Sequence, residues 1–472
     1  MTTATEQTSL KFSLAQLGPG LLMAGAAIGV SHLVQSTRAG AMYGWSALIF
    51  VLLANLMKYP FYEYGHRYAA ASGKNLIQAY RQQGKRFFLP FLAISFISAI
   101  GSFAVDAFVA AMLLQYLLFP GISATVLAVG VLLLCWGLIA VGRYRLFEQV
   151  TKWCVIFLSI ATIAAVGMAV FTSVTEPSLG TSSIVESTSV ESTTVRSTMM
   201  ESTGTAIPID VSQTDFTNTD LTQKVAYATT NGRAAVFSWE AVPFLIAFMG
   251  WMPGGLELSI WQSLWVQADA KDRTSQGDEA VSMTQASFDF NFGYVLTVVL
   301  ACLFLVLGTL TLPEEGMAAE PAAFAGQLVG MYTSYIGAWA EPVIGLCAIA
   351  AIFSTTFTVV DAFPRTLEAG LQELWPTTRE SQLPIRQSIA LLLIVSAALL
   401  LSIFTAGFEP LINAITILAF VAAPFYAWLN MRSIATLTDA EQPQPWLSLL
   451  ASVGLLYLSG FSILFLVFQF LS

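Results

Sequence analysis

Charge is scarce in this chain. Asp, Glu, Lys and Arg make up 10% of its 472 residues, against about 25% in soluble globular proteins. A folded chain of this length cannot stay in water with so few charges, which excludes a cytosolic enzyme, a nucleic-acid binder and a disordered scaffold. Histidine is scarcer still, with two residues, His32 and His66. No HExxH, nucleophile–base pair or phosphate loop occurs, so an enzyme is not expected. The four cysteines, Cys135, Cys154, Cys302 and Cys347, lie in apolar stretches without CxxC or Cys/His spacing. They read as small packing residues.

Apolar sequence is abundant, at 56% of residues. It runs in continuous segments of about 20 residues or more, the length that spans a bilayer as helix. It lacks the alternation of a membrane barrel. The predicted class is an all-α integral membrane protein. Eleven spans are predicted, at roughly 16–41, 45–69, 88–118, 122–141, 148–172, 238–267, 287–312, 333–361, 387–405, 409–430 and 446–470. With the N-terminus in the cytoplasm, sixteen Lys and Arg fall inside, Lys58 among them. Four fall outside: Arg38, Arg196, Lys224 and Arg233. That bias favours a cytoplasmic N-terminus and an external C-terminus. The first span is read as a retained helix rather than a signal peptide.

The predicted organisation is a cytoplasmic tail (1–15), spans one to five (16–172), an external Ser/Thr-rich loop (173–237), spans six to ten (238–430), a cytoplasmic linker (431–445) and an eleventh span (446–472). The loop repeats Glu-Ser-Thr units and cannot bury enough apolar area to fold.

Two spans are interrupted at corresponding places. The first is broken at Gly29-Val30-Ser31-His32 and the sixth at Met252-Pro253-Gly254-Gly255. Transporters made of inverted repeats begin each repeat with such a helix and bind cargo at the breaks, near the midplane. Freed carbonyls and half-helix ends supply part of the site.

The residues around these breaks also carry a resemblance. Leu17–Ala24, Ala39–Gly44, Ala54–Met57, and Arg67 with Ala71–Gly73 resemble the first two spans of the Nramp family of divalent metal transporters. Gly142–Glu148, Ala247–Gln267 around Met252-Pro253, and Ala423–Phe425 are similar to its fifth, sixth and tenth spans. The resemblance implies a LeuT-like 5+5 inverted repeat, spans 1–5 and 6–10, plus one extra helix. It also implies metal transport by alternating access. The chain departs from the family at its metal-binding motifs. Where the family has Asp-Pro-Gly-Asn, Gly29, Val30, Ser31 and His32 stand here; the His of Met-Pro-His is Gly254, and a span-ten Gln is Thr416.

The candidate substrate-binding residues are therefore Gly29, Ser31, His32, Met249, Met252, Gly254 and Thr416. His32 and Met252 are the candidate metal ligands, a pair suited to softer metals than Mg, Ca or Mn. Asp106 and Glu257 are carboxylates within spans. They are candidate proton carriers, or the counter-charge for a cationic cargo. Each of these residues also has a bland reading as packing or an interhelical hydrogen bond. His66 is expected at a solvated interface, Asp361 and Arg365 as a surface ion pair or gate, and Trp251, Trp261 and Trp265 as packing and interface residues.

The sequence thus predicts a proton-coupled importer of a divalent or soft transition-metal cation (Mn, Fe, Zn, Ni or Cu), with no resident cofactor. The lipid bilayer, the transported ion or solute, and protons are the expected partners. No nucleic acid and no obligate protein partner is expected. The expected location is the plasma membrane, of the bacterial inner-membrane type. The alternatives are the same fold carrying a non-metal solute or another ion, or a transport-silent sensor.

Overall fold

The computed structural model of the chain describes residues 18–141, 144–175, 235–277, 282–312, 318, 320–376, 378, 384–403 and 408–471. The predicted Ser/Thr-rich loop lies almost wholly outside them.

The regular elements among the described residues are helical. They are α1 (Pro19–Ala27), α2 (Thr37–Tyr43), α3 (Leu48–Ser72), α4 (Leu76–Gln82), α5 (Lys85–Leu117), α6 (Ala124–Val141) and α7 (Tyr144–Thr175). After the undescribed stretch come α8 (Val242–Gly250), α9 (Glu257–Gln276), α10 (Met283–Thr311), α11 (Pro321–Ile336), α12 (Glu341–Leu374), α13 (Ile385–Ile403), α14 (Phe408–Ile434) and α15 (Pro445–Leu471). Eight helical stretches among the described residues are long and apolar enough to cross a membrane. One of them, Leu22–Ser72, contains both the first and the second predicted span, and the shorter apolar helices Ile156–Phe171 and Trp239–Gly250 fall in the fifth and sixth.

One boundary differs from the sequence reading. The eighth span was expected to start near residue 333, but α11 ends at Ile336 and Gly337 takes φ 111°. The chain turns there and α12 begins at Glu341, preceded by a short 3-10 turn. Helix hydropathy alone does not see such a turn, because the residues on both sides are apolar.

The helices pack as an inverted repeat demands. The first span (α1, α2) packs on the seventh (α10), and the sixth (α9) packs on the second (α3). The third (α5) packs on the tenth (α14), and the eighth (α12) on the fifth (α7). Exchanging the two halves maps each pair onto its mate. The third and eighth spans, which map onto each other, also pack together.

The first span is held at both ends by the seventh. Asp289 of α10 accepts hydrogen bonds from the backbone N–H of Gly18 (3.1 Å) and Gly20 (2.6 Å). It fills the place of a capping side chain for α1, whose own Gly18 has none. Further along, Gly40 and Gly308 let the backbones meet: a Cβ on Gly40 would lie 2.1 Å from the Leu305 carbonyl, and one on Gly308 2.3 Å from that of Thr37. Small residues allow such close approach where the lipid-facing alternative is equally apolar. We expect Gly40→Ala to separate these helices and cost about 1–3 kcal/mol, read as a lowered thermal unfolding midpoint of the purified protein.

Candidate functional site

The site forms around the break in the sixth span. Helix α8 stops at Gly250 and α9 resumes at Glu257. Ending a helix leaves its last carbonyls without partners inside the element. These carbonyls belong to buried residues. Helix α3 supplies the donors. Lys58, fully buried, gives hydrogen bonds to the carbonyls of Met249 (2.7 Å), Gly250 (2.8 Å) and Gly254 (3.2 Å). Tyr62, one helical turn later, donates to the carbonyls of Gly254 (2.6 Å) and Gly255 (2.9 Å). The positive head of Lys58 thus sits at the negative end of one half-helix.

Glu257 sits at the opposite polarity, in the first turn of α9, where a negative side chain is favoured. Its side chain folds back over Gly255: a Cβ there would lie 2.4 Å from the carboxyl carbon. One carboxylate oxygen of Glu257 is buried with no hydrogen-bond partner.

The break in the first span is a π-helical stretch, Ile28–Ser36, with Gly29 alone leaving helical geometry at ψ −123°. The predicted interruption is therefore real but shorter than a loop. Ser31 ties the two breaks together, its hydroxyl lying 3.2 Å from the Pro253 carbonyl and also bonded to the Ala27 carbonyl. His32 is fully buried, with Nε2 2.9 Å from the Thr297 carbonyl and Nδ1 2.7 Å from the Ser31 hydroxyl. A carbonyl only accepts, so Nε2 carries the proton and Nδ1 faces Ser31.

A cavity of about 40 Å³ lies between the two breaks and α5. It holds about three water-sized bodies. Ser31, Ser102, Asp106, Glu257 and Thr355 supply its polar lining. Trp251 and Trp261 pack in the core as expected and also form part of the cavity wall. Asp106 and Glu257 are 3% and 4% exposed, too buried to be hydrated from outside. Lys58 carries three N–H donors, and carbonyls take three hydrogen bonds from it. Neither carboxylate is in an ion pair with it. Two carboxylates therefore share a small buried cavity with no side-chain cation bonded to them.

Of the predicted residues, the structure brings Ser31, Asp106, Gly254 and Glu257 to this cavity. The others lie outside its lining. Gly29 packs on the Thr355 side chain, which a Cβ would overlap. The side chain of Met249 bonds to the Tyr457 hydroxyl through sulfur, and Met252 is buried away from the cavity. The Thr416 hydroxyl donates to the Ile412 carbonyl of its own helix. Among the described residues, no three His, Cys, Asp or Glu side chains converge as a metal cluster. His66, expected at a solvated interface, is fully buried and stacked on Phe290 at 4.6 Å. Its helix faces protein rather than water at that depth. Asp361 and Arg365 do pair, at 2.6 Å and partly exposed.

Lys58, Tyr62, Ser102 and Thr355 were not foreseen. For Lys58 the signal was present: a lysine directly after the apolar run Leu48–Met57. Counting it as an inner flank hid it.

A family model described as "Natural resistance-associated macrophage protein-like" matches residues 20–199. An uncharacterized protein of Pasteurella multocida (strain Pm70), PM0681, is 30% identical over 472 residues, covering 99% of this chain and 96% of that protein. The chain belongs to the Nramp family. Among solved structures, the Eremococcus coleocola manganese transporter, in complex with an aromatic bis-isothiourea substituted compound, superposes with a TM-score of 0.63 at 14% identity, covering 95% of this chain and 85% of that one. MhsT in complex with L-phenylalanine superposes with a TM-score of 0.60 at 11% identity, covering 96% and 98%. Both share the LeuT-like fold. This Nramp chain keeps that fold while its polar cavity residues come from α5, α9 and α12 as well as the first span.

Removing His32 takes one hydrogen bond from the Thr297 carbonyl and one from Ser31, each worth about 1 kcal/mol. We expect His32→Ala to lower the unfolding midpoint, while weakening cation binding far less than Asp106→Asn does. Titrations of the two purified variants with the same cation compare them.

Proposed function

We propose that this Nramp-family chain is a secondary-active transporter that carries a divalent metal cation inward by alternating access, through a site centred on Asp106 and Glu257. One observation carries the reading: two buried carboxylates face one small cavity at the paired helix breaks, with no side-chain cation bonded to either. An isolated buried carboxylate is costly, and a bound cation or a proton removes that cost. Cargo and protons then compete for, or alternate on, the same two groups.

The donor set sharpens the metal. The cavity offers carboxylate and hydroxyl oxygens from Asp106, Glu257, Ser31, Ser102 and Thr355. Oxygen donors suit harder ions such as Mn²⁺ more than Cu or Zn, which prefer sulfur and imidazole. The metal-ligand role expected of His32 and Met252 is replaced here by a positioning role for His32, through Ser31, and a packing role for Met252. The likeness to a manganese transporter fold supports the same cargo class. The small cavity favours a bare ion over an organic solute. We propose eleven spans in a plasma membrane of the bacterial inner-membrane type; the distribution of Lys and Arg supports a cytoplasmic N-terminus.

Uptake into liposomes, measured for Mn, Fe, Zn, Ni and Cu with and without an inward proton gradient, tests this. We expect Mn²⁺ to enter faster when the outside is acidic. With Asp106→Asn or Glu257→Gln, uptake should fall to the level of empty liposomes. Unchanged uptake by the double variant, with its response to the gradient intact, overturns the site.

A further inference from the structure

Lys58 does not itself line the cargo cavity, although Gly254, whose carbonyl it binds, does, and it is among the largest fully buried side chains of the molecule. Its surroundings are backbone oxygens. The carbonyls of Met249 and Gly250 belong to the last turn of α8, and that of Gly254 to the unwound segment beyond it. They converge on one nitrogen at 2.7–3.2 Å. Carbonyls at a half-helix C-terminus and in unwound backbone are the groups with which broken-helix transporters coordinate coupling cations. The half-helix end adds its own negative partial charge.

We infer that this carbonyl cage, which adjoins the cargo cavity at Gly254, is a monovalent-cation site, and that the Lys58 ammonium fills it as a tethered cation. The three carbonyls match its three donors, which leaves the cage no vacancy for a soluble ion. Tyr62 closes the far side by donating to Gly254 and Gly255. The cage is built from a break that must flex during alternating access, so the occupant also sets the stability of that break. A soluble coupling cation would enter and leave with each cycle, whereas a tethered one cannot diffuse away. Sodium or potassium therefore has no role at this cage, and emptying it by mutation should create one.

Thermal unfolding of the purified full chain in detergent reads this directly, and independently of transport. Wild type should unfold at the same temperature in ammonium, potassium and choline chloride at fixed ionic strength. Lys58→Ala should unfold roughly 5 °C or more lower in choline chloride. It should regain most of that loss, saturably, as ammonium or potassium replaces choline, since choline is too large for the cage. Lys58→Met, similar in length but uncharged, should be depressed in all three salts and recover in none, because its side chain still occupies the space. A Lys58→Ala protein that folds only when extracted in ammonium or potassium chloride supports the same conclusion. The inference is overturned if Lys58→Ala shows no difference between ammonium, potassium and choline. It is equally overturned if Lys58→Met is as stable as wild type in choline, and that comparison stands even if Lys58→Ala never folds.

Discussion

A helix broken inside a membrane must find partners for the backbone groups it frees, because lipid supplies none. Everything at the centre of this protein follows from how the sixth span meets that requirement. Its two halves end on the same face of α3, where Lys58 and Tyr62 hand donors to the carbonyls of Met249, Gly250, Gly254 and Gly255. A charged donor serves here better than a neutral one, because the end of α8 is itself a negative pole. Glu257 occupies the positive pole of α9 a few residues on. The break is thus bracketed by opposite charges, each on the helix end that favours it.

That arrangement decides what remains for cargo. Where backbone carbonyls of a break are free, they can hold a cation. Here those of Met249, Gly250 and Gly254 are bonded to Lys58, and the Ser31 hydroxyl lies 3.2 Å from that of Pro253. The cavity is left with side-chain oxygens, chiefly the two carboxylates. The family's first-span Asp is Gly29 in this chain, and Thr355 of α12 packs into the space that a side chain at Gly29 would need. The negative charge has moved off the first span. It arrives from Asp106 in the third and Glu257 in the sixth. On the proposed reading, a cation would be held by different side chains on the same scaffold.

The fold was legible because membrane helices follow rules of length and hydropathy that survive divergence. The apolar runs, the glycines and proline of the two breaks, and the motifs around them pointed to the broken-helix architecture. Asp106 and Glu257 could be picked out because carboxylates are costly in a span, and the structure brings both to the cavity. The rest was hidden by three-dimensional facts. Whether His32 faces the cavity or its own protein depends on the rotation of one π-helical turn, which residue identity does not encode. Ser102 and Thr355 are common interhelical residues until neighbouring helices place them at a cavity. Lys58 was misplaced by arithmetic that treats every lysine near a span as an interfacial charge. A long, flexible lysine side chain normally carries its head to water, but Lys58, in the interior of α3, is enclosed by carbonyls instead.

The central claim is that a cation binds between Asp106 and Glu257 and not at His32 and Met252. Crystals of the protein soaked in Mn²⁺, measured near the manganese absorption edge, locate the ion without reference to activity. The account predicts one anomalous peak in the cavity, within direct coordination distance of both carboxylates and absent from crystals of Asp106→Asn. A peak between His32 and Met252, or on the carbonyls of Met249 and Gly250 in place of the Lys58 ammonium, would contradict it.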